Sequence, residues 1–299
     1  MKTLSYALIL ALLSALILSC SAVGKAMQTS SVFASDPKVA SALQKSGEAI
    51  GKAAEEITPE QEYYIGRAVG ATILSKYKLY KDAPQLTAYL NKICAAITVN
   101  SERPEIYNGY RVAILDSLEI NAFATSGGHI LVTRGLLESA KSEDALAAVI
   151  AHEIAHIQLQ HSLNAIKTSR ITQAAAVTGL SAASAAGDGK DLGKITDAFG
   201  GAIGDVVTTL VNNGYSRSQE FEADNKALSL LADAGYEPSS LVTMLKALQK
   251  NQAVRSGGFN KTHPAPQDRI ENAKKDLSKY PSVNTQSARA PRYNATLKK

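Results

Sequence analysis

Tryptophan is absent from this 299-residue chain, and aromatic residues make up only 6% of it. An aromatic platform of the kind that stacks sugars is therefore not expected. Two cysteines are too few for a disulfide scaffold. A hydrophobic share of 45% is too high for a disordered chain, and the length suffices for a sizeable core. Charge of one sign is also scarce in the body. The net charge is +5, and Lys279, Arg289, Arg292, Lys298 and Lys299 account for it, because residues 277–299 contain no acid. The rest is balanced, so the clustered basic footprint of a nucleic-acid-binding domain is missing and no nucleic acid partner is expected. After the N-terminus no window reaches eighteen apolar residues, so no transmembrane helix is expected in the mature chain.

What is present begins with Lys2 and an uncharged, Leu-, Ile- and Ala-rich run from Leu4 to Leu18. This is the pattern of an export signal, too short to span a bilayer comfortably. Ile17-Leu18-Ser19-Cys20 resembles a bacterial lipobox, which implies a signal peptide over 1–19 and lipidation of Cys20. Ser21 after the cysteine resembles the pattern that routes lipoproteins to the outer membrane. The expected location is the periplasmic side of the outer membrane, with membrane attachment through the N-terminal lipid. Cys94 then has no partner in its own chain, and its helix-like apolar surroundings mark a buried, inert thiol.

Residues 20–57 read as a spacer and a weak helix. Thr58-Pro59-Glu60-Gln61 is a helix start of the capping-box type, and helices continue to about Ile97 with a break near Asp82 to Pro84. Strands are expected at Tyr110–Leu115, Ile120–Phe123 and His129–Thr133, with a turn at Ser126-Gly127-Gly128. A helix capped by Ser142 runs to about Gln160. Residues 162–214 form a distinct helical insert, interpreted as a flap. Further helices are expected from Ser216, capped by Ser216 and Gln219, to Gly235, and over Pro238–Val254 and Pro266–Lys279. The sum is α+β, mainly α: a single domain over 58–280 with a small β-sheet, followed by a basic tail at 281–299.

His152-Glu153-Ile154-Ala155-His156 carries the chemistry. Residues four apart share a helix face, so both imidazoles can reach one metal ion. Neutral imidazole suits Zn²⁺, and a catalytic zinc takes three protein ligands with an open fourth position. Glu153 is placed to accept a proton. The third ligand is not His161, because the spacing lacks the glycine and histidine positions of the metzincin pattern; His161 is expected at the surface of the helix end. Glu220 and Asp224 share one face of a later helix, so Glu220 can ligate zinc while Asp224 hydrogen-bonds a ligand histidine. Glu222 faces elsewhere, towards solvent.

With these residues the chain resembles the M48 family of zinc metallopeptidases, in its branch of periplasmic and outer-membrane lipoproteins. The matching pieces occur in order: Glu62 to Gly66, Arg103-Pro104, Asn121 to Gly128 with Gly135 to Leu137, His152 to His156, Ser216 to Asp224, and His263-Pro264 with Arg269. The resemblance implies a zincin-like (gluzincin) fold, one Zn²⁺ per chain bound by His152, His156 and Glu220, and Glu153 as general base. It also places His263 and Arg269 near the zinc with Asp224 as catalytic residues. His263 is either a donor to the oxyanion or a fourth ligand in the resting state. No tetratricopeptide repeats follow residue 280, unlike in some members, and the role of His129 after the double glycine is open. The Gly127-Gly128 turn and the strand from His129 are expected to offer an exposed edge to an extended peptide. The implied activity is a zinc metalloendopeptidase of the cell envelope acting on unfolded or misassembled envelope polypeptides.

Overall fold

The computed structural model describes residues 56–168, 214–252, 262–263 and 266–297. The expected signal peptide over 1–19, Cys20, nearly all of the expected spacer and most of the expected 162–214 insert lie outside the described residues. The chain divides into two compact units, 1–56 with 165–202 and 57–164 with 203–299. The second unit carries every element named below.

Helix α1 (Pro59–Lys76) starts where Thr58 Oγ1 accepts from Gln61 N at 3.2 Å and the Gln61 side chain accepts from Thr58 N at 3.0 Å, a reciprocal capping box. Helix α2 (Pro84–Thr98) follows, and the spacing of Leu90, Ile93, Cys94 and Ile97 puts all four on one buried face. Burial pushes the Cys94 thiol up to about 12, which leaves it protonated and inert.

Strands β1 (Arg111–Leu115), β2 (Ala122–Thr125) and β3 (His129–Thr133) form one sheet in the order β1-β3-β2. β3 pairs parallel with β1 and antiparallel with β2. The strand expected to offer a free edge is thus the middle one. Both of its hydrogen-bonding sides are occupied, so His129–Thr133 cannot take a peptide by strand addition. The outer side of β1 is also engaged: the Asn91 amide binds both Val112 N and Val112 O, and Tyr80 N donates to Ile114 O. β2 begins two residues later than expected because Asn121 turns its side chain back onto Ala122 N at 2.9 Å. The turn between β2 and β3 needs its glycines, with φ of +75° at Gly127 and +95° at Gly128.

A short helix α3 (Arg134–Ser139), not foreseen from sequence, is capped by the Thr133 side chain. Helix α4 (Glu143–Gln158) is capped by Ser142, and every residue from Glu143 to Ile157 is buried. A helix buried on all sides belongs in the middle of a fold, and α2, β2 and the later helices Arg217–Asp233, Ser240–Gln252 and Gln286–Leu297 pack against it. Helix α5 (Arg217–Asp233) packs most extensively along α4. Its start is a second capping box, Ser216 with Gln219, and Gly235 at φ +72° ends it. Helices α6 (Ser240–Gln252) and α7 (Pro266–Leu277) complete the layer.

The residues interpreted as a basic tail fold back as helix α8 (Gln286–Leu297), with Arg289 and Tyr293 buried. Tyr293 donates to Ala140 O at 2.8 Å, and Arg289 pairs with Asp144 at 3.1 Å. Pro291 inside the helix and the basic composition leave this segment without a helical signature in its sequence.

Candidate metal centre

Three elements deliver the site. α4 presents His152 and His156 one turn apart, α5 presents Glu220 in its first turn, and residue 263 lies just before α7. The Nε2 atoms of His152 and His156 are 3.0 Å apart. Glu220 Oε1 lies 3.5 Å from His156 Nε2, and Oε2 lies 3.6 Å from His152 Nε2. Four ligand atoms, one each from His152, His156, Glu220 and His263, lie within 4.8 Å of one another, and all four residues are buried. Bonds of about 2.0–2.1 Å in a tetrahedron give donor separations of roughly 3.3 Å. The observed 3.0–3.6 Å among the first three residues fits such a set.

A ring of supporting contacts holds these donors. Asp224 Oδ1 meets His152 Nδ1 at 3.0 Å, which turns Nε2 of that imidazole towards the centre. Arg269 grips Asp224 with two hydrogen bonds, at 2.8 and 2.7 Å, and reaches Glu220 Oε2 at 2.9 Å. Asp224 and Arg269 therefore act on the ligands and position them. His263 Nδ1 is 2.9 Å from Glu220 Oε1, and its Nε2 is 3.9 Å from Glu153 Oε1. The expected grouping of His152, Glu153, His156, Glu220, Asp224, His263 and Arg269 is all found in one place. Gly127, Gly128 and His129 are not part of it: His129 stacks on Tyr63 with ring centroids 5.3 Å apart, and burial lowers its pKa.

Burial dominates the electrostatics. It lowers His156 well below the usual imidazole value and raises Glu153 above the usual carboxylate value. Burial and the Arg269 charge also push His152 down, but hydrogen bonds with Asp224 and Glu220 outweigh them and hold it at about 9. For Glu220, burial opposes ionisation, yet the charges of His263 and Arg269 and the hydrogen bonds from both α4 histidines keep it well below the ordinary range. An ionised Glu220 and a neutral His156 are the protonation states a metal requires of its ligands.

Glu153 is 1% exposed, and its Oε2 has no hydrogen-bond partner among the described residues. A buried carboxylate oxygen without a partner is costly, and beside this donor set it is what a base waiting for a proton looks like. Two imidazoles and a carboxylate, supported by a second carboxylate and lacking any thiolate, fit zinc in a catalytic site.

Two residues of the centre escaped the sequence reading. Tyr215, directly before the α5 cap, is buried, stacks on the His156 ring at 3.9 Å, and donates to Ala124 O at 3.3 Å. His161, expected at the surface, is 3% exposed with its Nδ1 2.8 Å from His156 Nδ1. Its burial follows from Gln160, whose φ of +56° turns the chain back under the end of α4. Such a conformation is strained by roughly 1–2 kcal/mol outside glycine. The only signal in the sequence was that His161 falls five residues after His156, which by itself does not tell a buried side chain from an exposed one.

Comparison with known proteins decides the affiliation. The family model of peptidase family M48 matches residues 83–277, well over half of the chain. The chain belongs to peptidase family M48. This is a metalloprotease family that uses zinc, and the His152, His156, Glu220 and His263 cluster is able to bind it. The chain is 28% identical over 237 residues to a putative beta-barrel assembly-enhancing protease of Vibrio cholerae, covering 77% of this chain and 47% of that protein. It is 30% identical over 160 residues to the metalloprotease LoiP of Escherichia coli, covering 54% and 60% respectively. It is 30% identical over 190 residues to the mitochondrial metalloendopeptidase OMA1 of Schizosaccharomyces pombe, covering 62% and 51%. The chain thus spans about half the length of the curated relatives it matches. α1 precedes the M48-matched span yet is fitted to it. A Cβ on Gly66 would fall 1.5 Å from Ser126 O, so only glycine lets α1 lie against that turn, and Glu62 pairs with Arg103 at 3.4 Å.

Proposed function

We propose that the protein is a zinc-dependent endopeptidase of the bacterial cell envelope, acting on unfolded or misassembled envelope polypeptides. The observation that carries this reading is the convergence of His152 Nε2, His156 Nε2 and the Glu220 carboxylate beside buried Glu153. Those three residues would hold a zinc ion, which would supply Lewis acidity and make water at the site easier to deprotonate. The remaining work belongs to side chains. Glu153 takes the proton of the attacking water and later delivers it to the leaving amine. His263, on the Glu153 side of the cluster, is within reach of the same space as a hydrogen-bond donor or as a further ligand. Arg269 and Asp224 keep Glu220 and His152 in place.

The strand beside the centre is β2. A narrow pocket lies between Ala122, Phe123 and Ala124 on one side and Tyr215, Thr262 and His263 on the other. Since Asn121 O pairs with Thr133 N of β3, strand alternation turns Ala122 and Ala124 to the outer side. That side is partly taken as well, since Ala122 N donates to Asn121 Oδ1 at 2.9 Å and Ala124 O accepts from Tyr215 at 3.3 Å. The envelope setting is supported by the signal-like start with Cys20 and by the name of the Vibrio cholerae relative, which ties that protein to beta-barrel assembly. Among the described residues no helix is long and apolar enough to cross a membrane. The test is incubation with an unfolded outer-membrane protein, with and without a chelator. Internal cleavage that the chelator abolishes and zinc restores supports the reading; intact substrate in zinc overturns it.

A further inference from the structure

His161 is buried against the centre without belonging to the metal-binding set. Its Nδ1 lies 2.8 Å from His156 Nδ1, and its Nε2 lies 3.4 Å from Glu222 Oε2 on α5. The contact is on the far side of the His156 ring, because it is Nε2 of His156 that converges with His152 and Glu220. The Gln160 backbone at φ +56° is what brings His161 there.

We infer that His161 is a positioning residue for the ligand His156. An imidazole that ligates through Nε2 carries its proton on Nδ1, and that N–H needs an acceptor to fix the tautomer and the ring plane. The Nδ1 lone pair of His161 accepts it. His161 then carries its own proton on Nε2 and donates it to the Glu222 carboxylate. Each hydrogen bond in the chain has one donor and one acceptor, and the carboxylate at its end selects the tautomer of both rings. The two ligands of α4 are thereby supported in different ways. His152 leans directly on buried Asp224, whereas His156 leans on a neutral ring whose carboxylate, Glu222, has a side chain 61% exposed. Tyr215 stacked on His156 fixes the tilt of the ring but offers Nδ1 no acceptor.

This inference rests on the reading that His156 binds the metal through Nε2. The test uses the full chain, with zinc affinity measured by competition with a chromophoric chelator and with the visible spectrum of the Co²⁺-loaded protein. His161→Phe, which keeps an aromatic ring but no acceptor, is expected to weaken zinc binding about 10–100-fold and to shift the Co²⁺ bands. His161→Asn, whose Oδ1 can stand in for Nδ1, is expected to recover most of that loss. Glu222→Ala should weaken binding less than His161→Phe. Wild-type affinity in His161→Phe, or no rescue by Asn over Phe in proteins with native circular dichroism, overturns the relay. If His156→Ala itself binds zinc as tightly as wild type, the metal-site reading fails and the relay falls with it.

Discussion

Replacing Arg289 with Met is expected to destabilise the protein by about 3 kcal/mol, although Arg289 binds the start of α4 rather than the metal centre. Arg289 is 8% exposed and binds Asp144 Oδ1 at 3.1 Å, and it also reaches Gly235 O and stacks over Tyr236. Asp144 is 1% exposed in the first turn of α4, the helix that carries both histidines. Met keeps the apolar stem and removes the charge, which leaves a buried carboxylate without its cation. Breaking one side of a buried pair costs about 3–5 kcal/mol. The lower end applies because Asp144 keeps a hydrogen bond from Glu237 N at 3.0 Å and sits at the positive end of the α4 dipole. For a unit of this size the loss corresponds to a fall in Tm of roughly 6–12 °C. Thermal unfolding followed by circular dichroism in excess chelator isolates the effect from zinc linkage. A fall of less than about 2 °C would refute the claim that α8 clamps the start of α4 through this pair.

The parts legible in the sequence were those with a local physical signature. Thr58 with Gln61, Ser142, and Ser216 with Gln219 marked three helix starts, because a cap is a contact between residues three apart. Gly235 marked an end and Gly127-Gly128 a turn, because left-handed backbone selects for glycine. His152 and His156 were legible through helical spacing, and Glu220 with Asp224 through the same rule applied to a second helix. What failed was long-range. Strand order is set by pairing across the fold, so His129–Thr133 looked like an edge while it is the middle strand between β1 and β2. α8 is held by Arg289, Arg292 and Tyr293 against residues some 150 positions earlier, and nothing in its own composition announces those partners. His161 was misplaced by one backbone angle at Gln160. Tyr215 owes its place to tertiary packing on His156, which no spacing rule reaches, and Arg269, packed on Asp224, was placed by the family resemblance and not by spacing.

Glu153→Gln should bind zinc as wild type and lose about 10²–10⁴-fold in turnover, because an amide cannot take the proton. Unchanged proteolysis would remove Glu153 from the mechanism. Glu220→Ala should lose bound zinc, while metal analysis of Glu222→Ala should still give about one per chain, since Glu222 lies outside the four-residue cluster; the reverse would reassign the third ligand. His263→Ala separates the two roles open to that side chain. Its Nδ1 rests on Glu220 and its Nε2 points within 3.9 Å of Glu153, so it lies between a metal ligand and the base. As a donor to the oxyanion its loss lowers turnover about 10²–10³-fold at unchanged zinc content. As a fourth ligand of the resting state it competes with water for the open position, so its loss raises turnover and makes chelators remove zinc more readily. A variant with wild-type turnover and wild-type zinc retention would refute both and leave His263 as packing around Glu220.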